Sequence, residues 1–565
     1  MDAERSISLP KLANASRPVV VSIFLGLGTF LLLVFGNGIY VHYNFGGEYY
    51  GPFLYSELWG VTPAEEAMGM LPVYAAPGAG WDGQFYYRQS IDPFLLGDGP
   101  KFSDNVSYRY QRNGVSILAW TIGKGCGYSL TPAWLYQATQ FALISFGMSI
   151  LIYWLMGRGL SPIYAFTWLL SSGLWSLLHG LPDTSADAVF ILSMVSLMYR
   201  KIGLYVAATS LLLLVREGYA AYAATVFLLT LAGKMDWRTT SRYWAALSST
   251  LPGVVLLSWT AFVAHQLKMP FMQGAKSVPW GNLVDLPFRA FFEAIRLQWQ
   301  IHPEIELTLK VLSAVTIVIV LLTCLLHIRK SPESFATLPY VILMSMLGAQ
   351  IWENETGYLK AVGSVILIGV FMLPLGKNYL LKAVLLLHLI SGIHTANRFN
   401  IVYQPYLHKS IVQANRSIPE PKKGLPIQFN EKLDRFEYSL EVTQRESPKI
   451  EAGIFRYFHR YPAMFHVSIR NESNNTLISE PNSSPTQVGL SYQLFDSKTN
   501  AMLFNWRSYP TIDIPPGGNY QMTICIPTPL RAGEYEVKLI LVQGDSTFLL
   551  EDKGGKIYSE RYVVP

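Results

Sequence analysis

The sequence predicts a polytopic α-helical membrane protein of about eleven spans with a C-terminal antiparallel β-sandwich, and three observations lead there. The chain of 565 residues is 51% hydrophobic but only 15% charged, with mean hydropathy +0.26, too apolar over that length for an ordinary soluble protein. Apolar runs recur up to about residue 400, separated by short loops that hold much of the Lys and Arg. After about residue 428 the pattern changes to alternating strands broken by Pro and Gly. The net charge of +6 follows the loops between apolar runs, so no nucleic-acid partner is expected.

The first run, 18–40, follows Arg5, Lys11 and Arg17 and is too long for a signal-peptide core. It reads as an uncleaved anchor with a cytoplasmic N-terminus. A polar, aromatic loop, 42–130, comes next and contains an apolar stretch, 113–122, too short to cross and expected at the interface. Further spans are expected near 131–156, 161–178, 185–199, 202–215, 218–232, 243–264, 311–328, 336–352, 359–375 and 379–396. Reading 202–232 as two spans turning at Arg216-Glu217 keeps Lys234, Arg238 and Arg242 on the inner side. The loops 42–130 and 265–306 and everything beyond 397 then share the external side. The domains expected are 1–400, transmembrane and bearing the external loop 42–130, a linker at 401–427, and an external β-sandwich at 428–565.

In the C-terminal part, Phe465/Val467/Ile469, Val488/Leu490/Tyr492/Leu494, Tyr520/Met522/Ile524/Ile526 and Tyr535/Val537/Leu539/Leu541 each repeat with period two. Pro515-Pro516-Gly517-Gly518 and Ala532-Gly533 supply turns, for about seven strands in all. The three cysteines, Cys126, Cys324 and Cys525, have no metal spacing and are expected to pack.

The residues with chemical potential collect in the loops expected outside. Trp81-Asp82-Gly83-Gln84-Phe85-Tyr86-Tyr87-Arg88, followed by Asp92-Pro93, combines a carboxylate, an amide, rings and a cation. That mixture suits a carbohydrate, whose faces stack on rings and whose hydroxyl proton a carboxylate can accept, as well as a plain interfacial segment. Tyr108-Arg109-Tyr110-Gln111-Arg112 offers two arginines to a lipid-linked phosphate or to snorkelling. Asp183 or Thr184 is expected to cap a helix, while Asp187 falls inside its first turn. Arg216 and Glu217 are either a mutually neutralising pair or an arginine offered to phosphate with its orienting acid. Lys360 has the same two readings as the arginines. Glu353, Glu355, His302, Glu304 and Glu306 are expected to be solvated, and no cluster has metal spacing.

Trp81-Asp82-Gly83-Gln84-Phe85-Tyr86-Tyr87 with Asp92-Pro93, then Tyr108-Arg109-Tyr110-Gln111-Arg112 and later Arg216-Glu217, resembles the GT-C class of membrane glycosyltransferases, in particular bacterial mannosyltransferase-like members. The resemblance covers roughly residues 19–400 and is most specific in 81–112. It implies a GT-C-like helical domain in a bacterial cytoplasmic membrane and an inverting transfer from a polyprenyl-phosphate sugar donor to a glycan, lipid or protein acceptor on the external face. It further implies Asp82 as general base, Arg109, Arg112 and Arg216 as counter-charges for the departing phosphate, and Gln84, Tyr87 and Arg88 as sugar-positioning groups. Asp183, Asp187, Glu217 and Lys360 complete the candidate substrate-binding set. Asp82 has no adjacent acid partner, so a tightly bound divalent cation is not expected.

Two other readings belong to different classes. A polyprenyl-diphosphate-oligosaccharide polymerase or ligase would centre on loop 265–306 with His302 as base. A non-enzymatic glycan-binding or export component would use Tyr492, Phe495, Trp506 and Tyr509, which are otherwise core residues.

Overall fold

The computed structural model describes residues 16–45, 47–53, 55, 61–68, 81–103, 105–237, 240–269, 284–301, 305–353, 357–376, 378–402, 437–446, 463–474, 476–477, 488–500, 502–508, 514–526, 533–543 and 557–564. By internal contact the chain divides into two units, one comprising residues 1–39, 85–299 and 303–395, the other 40–84, 300–302 and 396–565. The expected linker, His302, Glu304, Glu355 and Tyr509 lie outside the described residues.

The first unit is helical. The described chain runs α1 (Ser16–Phe45), α2 (Pro63–Ala67), α3 (Gly83–Ile91), α4 (Val106–Gln111), α5 (Gly114–Gly125), α6 (Ala133–Gly157) and α7 (Ile163–Trp168). A π-helical turn (Leu169–Gly173) follows, then α8 (Leu174–Leu178), α9 (Asp183–Met198), α10 (Ile202–Val215), a 3-10 turn (Glu217–Tyr219), α11 (Ala220–Leu231) and α12 (Arg242–Gln266). After these come α13 (Arg289–Ile301), α14 (Ile305–His327), α15 (Pro332–Ser345), α16 (Ala349–Glu353), α17 (Gly357–Met372) and α18 (Tyr379–Val402). Of these, α2 belongs wholly to the other unit.

Among the described residues, five helices are long and apolar enough to cross a bilayer: Pro18–His42, Ala133–Gly157, Arg242–Gln266, Leu307–His327 and Gly357–Leu375. Phe24, Leu32 and Phe35 on α1 are 69%, 73% and 75% exposed, an apolar surface that water would not tolerate but lipid would. Of the roughly eleven spans expected, these five are met at full crossing length among the described residues. The segments Ile163–Leu178, Ile202–Val215 and Tyr379–Gly392 form apolar helices where expected, but they are shorter. With 14 residues, Ile202–Val215 reaches only about 21 Å at ~1.5 Å per residue, against ~30 Å of hydrocarbon. Arg216-Glu217-Gly218 ends that helix, so 202–232 is two helices with a turn between them, as the charge argument requires.

Packing in this unit depends on small residues. α9 lies against α6 and α10, and α17 against the π turn and α9. A Cβ added at Gly147 of α6 would stand 2.9 Å from both Cα and Cβ of Ala188, so α6 and α9 touch backbone to backbone. Cys324 is buried beside Thr337 as a packing cysteine, whereas Cys126 at the end of α5 is exposed, contrary to expectation. The stretch 113–122, expected at the interface, falls in the short helix α5, with Trp120 carrying Lys124 over its ring at 5.8 Å.

The described residues of the second unit form seven strands in two antiparallel sheets: β1 (Tyr438–Glu446), β2 (Ala463–Asn471) and β5 (Asn519–Ile526) in order β1-β2-β5, and β4 (Met502–Ser508), β3 (Val488–Asp496), β6 (Gly533–Gln543) and β7 (Tyr558–Val564) in order β4-β3-β6-β7. Alternate residues from both sheets enter one apolar core, including Phe465, Val467, Ile469, Leu490, Leu494, Ile524, Val537 and Leu539. Nearly every residue of the period-two sets lies in that core, with Met522 packed at its edge. At the turn into β5, Gly517 adopts φ +72°, and a Cβ at Gly518 would stand 2.8 Å from the Pro515 carbonyl.

Gly147→Ala is expected to lower the stability of the full-length protein by about 1–3 kcal/mol, since the methyl group meets backbone that cannot turn aside. Gly157→Ala, at an open position on the same helix, is expected to leave it unchanged or slightly raised. Thermal unfolding in detergent followed by circular dichroism distinguishes the pair.

Candidate functional site

The organising feature is the turn Arg216–Tyr219 between α10 and α11, whose three polar side chains each reach a different partner. Arg216 takes an extended backbone (φ −154°, ψ 105°), which ends α10 and aims the following residues separately. Glu217 receives a forked pair from Arg112, with Nε to Oε2 at 2.8 Å and Nη2 to Oε1 at 2.6 Å. Tyr219 donates its hydroxyl to Oδ1 of Asp187 at 2.6 Å. The Nη1 of Arg216 stands 3.2 Å from Oδ1 of Asp183.

This overturns two expectations. Arg216 and Glu217 do not neutralise each other; each pairs with a residue far away in sequence. Nor does Asp183 cap a helix with its side chain. It is the first residue of α9, the N-cap position is Pro182, and Thr184 donates instead to the Gly173 carbonyl at 2.9 Å.

The two arginine pairs differ in quality. Arg112 spends its fork on Glu217 and lies 4.3 Å over the Tyr108 ring. Burial alone would push the Glu217 carboxyl up, but the Arg112 charge, its hydrogen bonds and the nearby Arg216 together hold it below the ordinary glutamate range. Arg216 is different. Its contact with Asp183 is not aligned as a hydrogen bond, and the buried Nη1 has no hydrogen-bond partner among the described residues. Burial disfavours its charge, yet Tyr340, Asp183, Tyr219 and Asp187 more than offset that and hold the guanidinium above its ordinary pKa.

Beneath the turn lies Asp187, fully buried, with both oxygens engaged: Oδ1 by Tyr219 and Oδ2 by the Trp168 indole N–H at 2.9 Å. Tyr219 stacks nearly parallel on Tyr340 (4.6 Å, 6°) and against Phe190 (4.9 Å, 29°). The Tyr340 hydroxyl is in turn bonded to Ser364 at 2.8 Å. A Cβ at Gly363 of α17 would sit 2.2 Å from Ser172 Oγ and 2.6 Å from Asp187 Oδ2, so only glycine lets that helix close over the carboxylate.

The remaining candidates fall into four groups. Arg109 is buried with Phe85, Tyr86 and Tyr108 at 4.9, 5.7 and 5.6 Å from its guanidinium carbon, and it shares the Tyr108 ring with Arg112. Tyr87 and Arg88 of α3 turn polar groups to backbone: the Tyr87 hydroxyl donates to the Thr131 carbonyl at 3.1 Å, and Arg88 Nη1 to the Phe102 carbonyl at 2.6 Å. Gln84 is buried in the first turn of α3, and Asp82, half-buried, immediately precedes that helix. Lys360 is half-buried near the start of α17 and makes no ion pair among the described residues.

An open apolar groove of about 370 Å³ is lined by Phe94, Leu214, Val254, Val255, Trp259 and Phe262, with Ser258 as its polar contribution. Leu214 precedes Arg216 by two residues. Trp259 donates its indole N–H to the Tyr110 carbonyl at 2.7 Å, two residues before Arg112. No three His, Cys, Asp or Glu side chains are placed to hold a metal ion among the described residues. In the sheets, Tyr492 lies in the core rather than on a platform, and Phe495 carries Lys538 over its ring at 4.6 Å. Neither a family model nor a curated protein matches the chain.

Tyr219, Tyr340 and Trp168 were not legible as site residues. A carboxylate inside an apolar helix demands donors, which was the available signal, but no spacing rule points to an indole nineteen residues earlier across a π turn.

Arg112→Ala and Glu217→Ala are expected to show a coupling of about 1–3 kcal/mol in a double-mutant cycle of stability, between the limits for exposed and fully buried pairs. Because the folded-state value of Glu217 lies below its unfolded value near 4.3, the pair's contribution is complete above that pH and is lost as pH falls through the depressed value. Glu217→Gln is therefore expected to flatten the acid limb of a melting-temperature profile.

Proposed function

We propose that the protein is an integral-membrane glycosyltransferase of the GT-C type, moving a sugar from a polyprenyl-phosphate donor to a glycan, lipid or protein acceptor on the external face of a bacterial cytoplasmic membrane. In this reading the short apolar helices complete the set of spans, the N-terminus is cytoplasmic, and the two sheets form an external β-sandwich.

The observation that carries the reading is Arg216: a largely buried guanidinium on an anchored turn, with N–H groups left for an anion, close in sequence to the wall of an apolar groove. A phosphate attached to an isoprenoid chain needs both a cation with free fork geometry and an apolar surface. The step follows from that chemistry. The acceptor oxygen attacks the anomeric carbon, the bond from that carbon to the phosphate oxygen breaks, and the departing polyprenyl phosphate takes the electron pair. The acceptor's proton passes to Asp82. Arg216, with Arg109, compensates the charge that grows on the phosphate.

The candidate roles are revised accordingly. Arg112, its fork taken by Glu217, acts as a positioning residue rather than a phosphate ligand. Tyr87 and Arg88 support the segments around Thr131 and Phe102, leaving Gln84 as the candidate for sugar hydroxyls. Lys360 keeps a place only as an outlying cation.

Asp82→Asn is expected to reduce transfer from a polyprenyl-phosphate sugar by about 10²–10⁴-fold with expression and melting temperature unchanged. Arg216→Gln is expected to impair the same transfer, with donor binding weakened as well. Radiolabelled sugar transfer in membranes measures both, and turnover retained in the Asp82 variant would remove the proposed base.

A further inference from the structure

Two arginine–carboxylate pairs flank one short turn, and they are built differently. Arg112–Glu217 is aligned and doubly bonded, whereas Arg216–Asp183 stands at 3.2 Å without an aligned hydrogen bond, although both of its side chains are about as buried, at 14% and 15% exposure. An enclosed guanidinium needs a counter-anion at all times, so a misaligned one marks a contact made to be exchanged rather than kept. The turn itself cannot follow a departing partner, because Glu217 and Tyr219 tie it to Arg112 and Asp187. The other nearby acid, Asp187, has both oxygens bonded and cannot exchange. Asp183 can. It is the first residue of the 16-residue helix α9, whose N-terminus carries no side-chain cap, so its carboxylate keeps a favourable field after leaving Arg216.

We propose that Asp183 is a resident placeholder for the phosphoryl group: it occupies Arg216 while the site is empty, is displaced when a phosphoryl anion arrives, and thereby sets the affinity of the site. This rests on the reading of Arg216 as the anion-binding residue and adds that the binding is competitive with an internal carboxylate. Asp183 is in this sense a specificity-determining residue: an incoming anion must out-compete a carboxylate, which favours the bidentate, more highly charged phosphoryl group over weaker anions.

The test titrates inorganic phosphate and farnesyl phosphate into the full-length protein in detergent by calorimetry. Asp183→Asn is expected to bind about fivefold more tightly than the parent chain, since the competitor is gone. Asp183→Glu, whose longer arm allows an aligned pair with Arg216, is expected to bind more weakly than the parent, which keeps the proposal open to test even where the Asn variant folds poorly. Tightening with both probes supports recognition of the shared phosphoryl group, and tightening with farnesyl phosphate alone supports a lipid-linked source. Unchanged or weakened binding in Asp183→Asn, while Arg216→Gln loses binding, overturns the placeholder but leaves the anion site standing. Parent-like binding by Arg216→Gln overturns both.

Discussion

The hydrogen bond from Tyr219 to Asp187 is the constraint on which the rest of the site depends. It ties a turn between two apolar helices to a carboxylate in the first turns of a third, and the bond from Glu217 to Arg112 ties the same turn to the end of α4. A four-residue turn fixed at two of its side chains has little freedom left at the residue that precedes them. Arg216 is therefore held in place, the preorganisation that the proposed electrostatic site calls for. Without those two anchors the buried guanidinium could relax toward Asp183 and complete its hydrogen bonds there.

Opposite charges meet around the turn. Arg112 and Arg216 lie among Asp183, Asp187 and Glu217, and mutual pairing is how ionisable groups are tolerated in an apolar helical setting. Proximity alone does not determine pairing. Arg112 and Glu217 are saturated by one another, Asp187 is saturated by neutral donors, and Arg109 is surrounded by rings. Among the described residues, the contact left imperfect in this group is that of Arg216 with Asp183, the residue to which the proposed function assigns the anion being Arg216.

Much of the fold was legible because hydrophobic periodicity is a local signal. The helices begin and end close to the expected limits, and the two-residue alternation identified nearly every core residue of the sheets. Span count was less legible: composition measures how apolar a run is, and only the observed helix length says whether it can cross, as 202–215 illustrates. The charged residues that meet at this turn were legible one by one but not as pairs. Arg112, Asp183, Asp187, Arg216 and Glu217 were all named from the sequence, yet adjacency suggested the wrong partnership for Arg216 and Glu217. Contacts such as Arg112 to Glu217 span 105 positions, and nothing in either segment encodes the other. The bonds of Tyr87 and Arg88 to backbone were not legible for a related reason: a side chain's partner can be a backbone carbonyl, and a carbonyl leaves no mark in the sequence.

The π turn explains how a carboxylate came to be enclosed at all. An extra residue per turn between α7 and α8 breaks the regular spacing of side chains there, and such insertions often accompany functional sites. Here the segment brings Trp168 to Asp187, Ser172 beside Gly363, and the Gly173 carbonyl within reach of Thr184. A regular helix through 163–178 would place these groups in different directions around its axis and could not serve all three contacts. Gly363 then allows α17 to close against the same carboxylate, and any larger residue would collide with Ser172 and Asp187 together. The floor beneath Tyr219 is thus rigid and closed to water. Its carboxylate, with both oxygens bonded, fixes the turn above it, and the exchange proposed above falls to Asp183 at the helix end.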